Sequence, residues 1–304
     1  MKNSVLCIGY ACVDVCYKTS KFPEKNKKML SEDFEVCGGG PASNAAISVR
    51  LLGGFSDFLG YVGKDCFGDF HQREMEDAGV GIDLCYRGDL KTPVVCILAT
   101  DQNRTAIAYR TKDYWLNEIP QNVDLGRYIS VLFDGHQPVI SLQILEKCKI
   151  LGIPTVLDAG SINSGTLSLI KEVDYAVASE DFSRDLCQKD QTIDILNELV
   201  EIRDKKCTVV TLGDKGLVAY KDGKYFQVGA YSVNAIDTTG AGDVFHGCFS
   251  YFVEKLPFED CLLISSAAAA LSCTRLGARK SIPRLQEVKD LMIEQKNVRC
   301  LEFK

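Results

Sequence analysis

Asp237-Thr238-Thr239-Gly240-Ala241-Gly242-Asp243 is the stretch on which the reading of this chain turns. Two carboxylates flank small residues, and Val244-Phe245-His246-Gly247-Cys248-Phe249 continues with helical character. Gly240 and Gly242 allow backbone conformations that a Cβ resists. A glycine turn feeding a helix presents free backbone N–H groups and the positive end of the helix dipole, a combination that attracts an anion. Asp243 stands at the mouth of that site, where its charge opposes a phosphate. Proton chemistry gives a reason for it to be there: a positioned aspartate takes the proton of a hydroxyl that attacks a phosphoryl group. The plain alternative is an aspartate capping a helix after a glycine turn.

Further motifs lie upstream. Gly38-Gly39-Gly40-Pro41-Ala42-Ser43-Asn44-Ala45-Ala46 runs into a helix that ends at Leu51-Leu52-Gly53. Gly60-Tyr61-Val62-Gly63-Lys64-Asp65-Cys66-Phe67-Gly68 follows as a strand-to-helix element. In order and spacing, these three stretches resemble the signatures of the PfkB (ribokinase-like) carbohydrate kinase family. The resemblance covers roughly residues 4 to 294. Within the family, Gly39 to Asn44 look like the turn of ketohexose kinases. Cys273-Thr274-Arg275-Leu276-Gly277-Ala278-Arg279-Lys280-Ser281-Ile282-Pro283 is similar to a bacterial branch that includes sulfofructose kinase.

Composition is that of an ordinary globular chain. Of 304 residues, 46% are hydrophobic and 25% charged, enough for a core. A net charge of −6 argues against nucleic acid as a partner. The fourteen cysteines contain no C-x-x-C pair and the three histidines are scattered, so a structural zinc site is not expected. The N-terminal residues read as a strand, not a signal peptide, and no apolar run is long enough for a membrane span. Free thiols without an export signal lead us to expect a cytoplasmic protein.

Short apolar runs at Val5–Gly9, Ser56–Gly60, Val94–Thr100, Val131–Phe133, Thr155–Asp158, Tyr175–Ala178 and Thr208–Leu212 read as strands. Helical stretches such as Pro41–Leu52, Phe67–Ala78, Ser141–Leu151 and Ile193–Lys205 separate them, and glycines stand at the expected C-caps. The alternation predicts a doubly wound α/β fold with a mostly parallel sheet flanked by helices. Two segments depart from it, about 13–37 and 94–110, the second with an Asp101-Gln102-Asn103-Arg104 turn. They read as extended antiparallel pieces. The resemblance makes them a small β lid over the sugar, and a homodimer contact, on a single domain spanning 1–304.

The resemblance also implies roles. Asp14, after the first strand, binds sugar hydroxyls; read alone it is a solvated loop aspartate. Gly39, Gly40 and Asn44 are sugar contacts. Asp134 ends a strand in Val131-Leu132-Phe133-Asp134-Gly135-His136 and either touches substrate or holds a neighbouring loop. Asp158 takes the comparable position on the next strand, and its Gly160-Ser161-Ile162 continuation departs from relatives that carry Asn or Arg there. Lys18, Lys21, Lys25, Lys27, Lys28, Arg104 and Arg110 give the lid a cationic rim, either solvated or suited to an anionic sugar; Arg110 is a candidate substrate contact.

Ser179-Glu180-Asp181-Phe182 occupies the place of the family's N-x-x-E element with two departures, leaving Glu180 for the magnesium shell. Thr211-Leu212-Gly213-Asp214-Lys215-Gly216 resembles the nucleotide loop, with Thr211, Gly213 and Gly216 near the phosphates and ribose of ATP. Thr239, the Ala267–Thr274 helix with Ala268, and the loop at Gly277 complete the nucleotide side. Asp237 and Thr239 resemble a monovalent-cation (K+) site of some relatives. No G-x-x-x-x-G-K-[ST] run is present, which excludes a P-loop kinase.

The expected chemistry is ATP-dependent phosphorylation of a sugar hydroxyl. Asp243 acts as base, and the N–H groups of Gly240, Ala241, Gly242 and Asp243 hold the transferred phosphoryl group. A nucleoside kinase of the same fold and a non-catalytic sugar- or nucleotide-binding protein are the competing readings.

Overall fold

A computed structural model describes residues 3–100, 104–111 and 114–303. Strand β1 (Ser4–Gly9) is buried along its whole length. The chain then leaves the main sheet as β2 (Cys12–Lys18) and returns as β3 (Asp33–Gly39) into α1 (Pro41–Leu51). Next come β4 (Phe55–Gly63), α2 (Cys66–Asp77), the short β5 (Tyr86–Gly88), β6 (Val94–Ala99) and β7 (Arg104–Tyr109). Alternation resumes with β8 (Tyr128–Phe133), α3 (Pro138–Leu151), β9 (Thr155–Ala159), α4 (Ser164–Leu169) and β10 (Tyr175–Ser179). It continues through α5 (Glu180–Cys187), α6 (Thr192–Ile202) and β11 (Cys207–Thr211). The last part holds β12 (Leu217–Lys221), β13 (Lys224–Val228), α7 (Ala241–Phe252), α8 (Phe258–Ser272), α9 (Leu285–Glu294) and β14 (Cys300–Phe303).

The large sheet runs β14-β13-β12-β11-β10-β9-β8-β1-β4-β5. Pairing is parallel from β11 to β5 and antiparallel from β11 to β14. The expected fold class is therefore the observed one. Side-chain alternation on β1 explains why. Val5 and Cys7 enter one core with residues of α1, α7 and α8, while Leu6 and Ile8 enter a second core with α3 and α6. Both faces are covered, so the strand reads as a continuous apolar run.

β1 pairs with β4 on one side and β8 on the other, so the strand order switches direction there. Ligands of open α/β sheets bind outside the strand ends at such a point. Above it stands the four-stranded sheet β3-β2-β6-β7, built from the two segments that broke the alternation. The Asp101-Gln102-Asn103 part of its expected turn lies outside the described residues.

The antiparallel edge β12–β14 was not among the expected strands. Its signal was present in Asp222-Gly223, which joins β12 and β13 with φ of 51° and 83°, the left-handed pair that closes a two-residue hairpin. All fourteen cysteines lie among the described residues, none forms a disulfide, and most are buried in the cores. Among the described residues no helix is long and apolar enough to cross a membrane.

Candidate active site

Helix α7 opens at Gly240, whose φ of 79° is left-handed. A Cβ there would sit 2.9 Å from the Cβ of Ala278. The backbone N–H groups of Ala241, Gly242 and Asp243 belong to the first helical turn, where they lack helical acceptors. Asp243 lies half-buried in that turn. Its Oδ2 accepts a hydrogen bond of 2.8 Å from Asn44 Nδ2 on α1. The two helices meet closely because Gly247 faces α1, where a Cβ would come within 2.5 Å of the Ala45 carbonyl oxygen. Burial first, and then the charge of Asp158, push the Asp243 carboxyl up to about 7. That matches a base working near neutral pH.

Asp158, at 4% exposure on β9, lies deeper. Burial and the charge of Asp134 push its carboxyl up to about 7 as well. Its Oδ2 is 3.3 Å from His246 Nδ1, and His246 Nε2 is 3.1 Å from the Val177 carbonyl. A carbonyl only accepts, so Nε2 carries the hydrogen. Burial holds the His246 pKa down.

Asp134 is 2% exposed, and its oxygens are taken by the protein. Oδ2 accepts from the Tyr10 and Ala42 backbone N–H at 2.8 and 3.2 Å, and Oδ1 from His136 N–H at 2.9 Å. These are the contacts of a residue that holds the neighbouring loop, the second of the two roles open to it. Burial works against the Asp134 carboxylate, yet His136 outweighs it and the pKa falls. Asp14 faces the same region from β2, accepting from Cys12 Sγ at 3.4 Å. A Cβ on Gly39 would come within 2.3 Å of Asp14 Oδ2, so a side chain there would displace that carboxylate. Gly40, with φ of 106°, turns the chain into α1.

Arg110 is exposed and borders a cleft of about 610 Å³ with Tyr114, Trp115, His136, Asn163 and Ser164. His136 stacks on Tyr10, with ring centroids 4.9 Å apart. Lys21 and Lys27 pair with Glu24 on an exposed loop.

On the other side of α7, parallel pairing sets Ser179 beside Thr211. Ser179 accepts from Phe182 N–H and caps α5. Glu180 follows it and accepts from Arg184 at 3.0 Å, with Lys215 at 3.9 Å. Gly213 and Gly216, with φ of 61° and 90°, shape the turn after Thr211. Asp237 closes the loop before α7, accepting from Thr239 N–H at 2.9 Å and Gly277 N–H at 3.0 Å. Ala268 is 0% exposed in α8, within the core.

Arg279 had no role in the sequence reading. It is 8% exposed and reaches Asn44, Glu74, Ser43 and His71. An arginine on a polar loop reads as a surface cation, and only the tertiary fold reveals its burial.

Comparison with known proteins agrees with this arrangement. Residues 2–285 match the family described as pfkB family carbohydrate kinase. The chain belongs to that family and is a carbohydrate kinase, a phosphotransferase with an alcohol group as acceptor. A ribokinase from Lactococcus lactis is 27% identical over 295 residues, covering 94% of this chain and 96% of the relative. Fructokinase-2 of Oryza sativa is 28% identical, covering 88% of each chain. The structure of Arabidopsis thaliana ribokinase complexed with ribose and ATP superimposes with a TM-score of 0.86 at 23% identity, covering 96% of this chain and 99% of that one.

Proposed function

We propose that this chain, a single domain with a lid, transfers the γ-phosphoryl group of ATP to a hydroxyl of a small carbohydrate, a ketose or an anionic sugar derivative. Asp243 is the general base. One observation carries the reading: Asp243 sits in the first turn of α7, beside N–H groups suited to an anion, and takes a hydrogen bond from Asn44.

The acceptor sugar lies against Asp14, Gly39, Gly40 and Asn44, with Asp134 shaping the loop beneath and Arg110 at the rim. Asp243 draws the proton from the acceptor hydroxyl. The N–H groups of Gly240, Ala241, Gly242 and Asp243 hold the charge that develops on the phosphoryl oxygens. ATP lies along Thr211, Gly213, Gly216, Thr239 and Gly277, where glycine turns leave room for phosphates and ribose.

Magnesium bound with the nucleotide neutralises the growing phosphate charge. Glu180, half-buried beside the Thr211 turn, is the carboxylate that fits its water shell. Asp237, with Thr239 and the Gly277 loop, is assigned to a potassium site; its oxygens already gather the backbone there, and activity in potassium against sodium salts tests it. The exposed Ile107 and Tyr109 of the lid support a homodimer through that sheet.

The deciding experiment measures ADP release from ATP and magnesium across pentoses, ketohexoses, sugar phosphates, a sulfonated ketose, sugar acids and nucleosides, with Asp243→Asn beside the parent. Turnover of one sugar, lost in the variant, is the expected result. Nucleosides belong in the panel because Tyr114, Trp115 and His136 offer ring faces in the cleft; turnover of nucleosides alone would replace the sugar reading. Binding of sugar and ATP without turnover of any member would replace the kinase reading.

A further inference from the structure

We propose that Arg279 is a positioning residue for phosphoryl transfer: its guanidinium fixes the side-chain amide of Asn44 in the one orientation that donates to Asp243. The proposal rests on Asp243 as the base.

An asparagine amide has a donor end and an acceptor end, and either fits the same volume. Here Arg279 Nε donates to Asn44 Oδ1 at 3.1 Å, and Asn44 Nδ2 donates to Asp243 Oδ2 at 2.8 Å. Flipping the amide would set NH2 against the guanidinium, which has no lone pair to offer. It would also turn Oδ1 toward a carboxylate, oxygen against oxygen. Both hydrogen bonds would become repulsions, so one bond from Arg279 selects the orientation. The selected bond favours the ionised carboxylate, the form in which Asp243 takes a proton.

Arg279 is itself locked. Nη1 pairs with Glu74 at 2.9 Å, and Nη2 donates to Ser43 Oγ at 3.1 Å and lies 2.7 Å from His71 Nε2. His71 is kept neutral by burial and by this same cation, and its Nε2 also lies 3.2 Å from the Gly39 carbonyl oxygen. The glycine run makes room: a Cβ on Gly38 would lie 1.9 Å from Nη1. Next to Arg279, Ala278 packs on Gly240, so the loop that supports the catalytic turn also carries the arginine that orients its partner. A lysine carries its three N–H donors on a single nitrogen and has no planar fork to span Glu74 and Asn44 as the guanidinium does.

The test is kcat against pH on the sugar that is turned over, for Arg279→Met, Arg279→Lys, Asn44→Leu and the Arg279→Met/Asn44→Leu double variant, each normalised to folded protein. Arg279→Met is expected to lower kcat at neutral pH by about tenfold or more, the scale of one hydrogen bond to a charged group. Its acidic limb is expected to move to higher pH, and Arg279→Lys does not restore it. Asn44→Leu gives the same displacement, and the double variant adds nothing to it. An acidic limb that stays at the parent position in Arg279→Met overturns the proposal, whatever the loss of Tm. So does a double variant whose displacement is the sum of the two. If Arg279→Met does not fold, Arg279→Lys, which keeps a cation for Glu74, is read by the same criteria. Asp243→Asn run alongside separates the failures: full activity there removes the base itself, whereas lost activity there with an unmoved limb in Arg279→Met removes only the role of Arg279.

Discussion

Asp243 and Asp158 are two neighbouring carboxyls that burial pushes up to about 7. For Asp243 the consequence is catalytic. A base must be ionised, so kcat falls as pH drops below about 7. Asp243→Asn is expected to lower kcat by at least ~10²-fold, the usual contribution of a general base. Near-parent kcat in that variant removes the role. For Asp158 the consequence is stability. Its folded pKa lies above the ordinary 3.8, so between about 4 and about 7 the folded state keeps a proton that the unfolded chain has released. Stability from this group is full below that window and is lost as pH rises through it. Thermal unfolding of Asp158→Asn across pH 4 to 8 should give a flatter dependence than the parent; an unchanged slope counts against the assignment. At this scale Asp243 was legible from its glycines. The Asp158–His246 pair was not, because the two lie 88 positions apart in the sequence (246 − 158).

Helices α1 and α7 bring Asn44 to Asp243, and their closeness depends on Gly247. A side chain there meets the backbone of α1, which has no rotamer to yield. Gly247→Val is therefore expected to cost ~1–3 kcal/mol, the usual range for overpacking a core. It should also lower kcat, since the Asn44–Asp243 bond spans the same interface. Denaturant unfolding and steady-state kinetics measure the two effects. A variant with parent stability would show that the helices part without cost. Strand and helix positions were readable here because each strand between two helical layers is apolar on both sides. The β12–β14 edge escaped because its strands are short and the outer ones carry mixed polarity, as in Lys224-Tyr225-Phe226-Gln227-Val228.

At the level of the whole molecule, the four-stranded sheet exposes Ile107 at 65% and Tyr109 at 49%. Apolar side chains on an outer sheet face mark an interface when they cluster. Ile107→Glu should convert a dimer into a monomer, read by light scattering on a sizing column. Identical masses for variant and parent would rule out this face as the contact.

Local sequence determined the α/β class and the glycine turn before α7 and pointed to Asp243 as the proposed base, since these follow from periodicity and from residue types that only certain backbone conformations accept. Tertiary structure alone decided that Asp134 holds a loop, that Ala268 is core, and that Arg279 is a buried anchor. Burial and hydrogen-bond partners are properties of surfaces brought together from distant parts of the chain. A charge looks solvated in sequence until the fold encloses it.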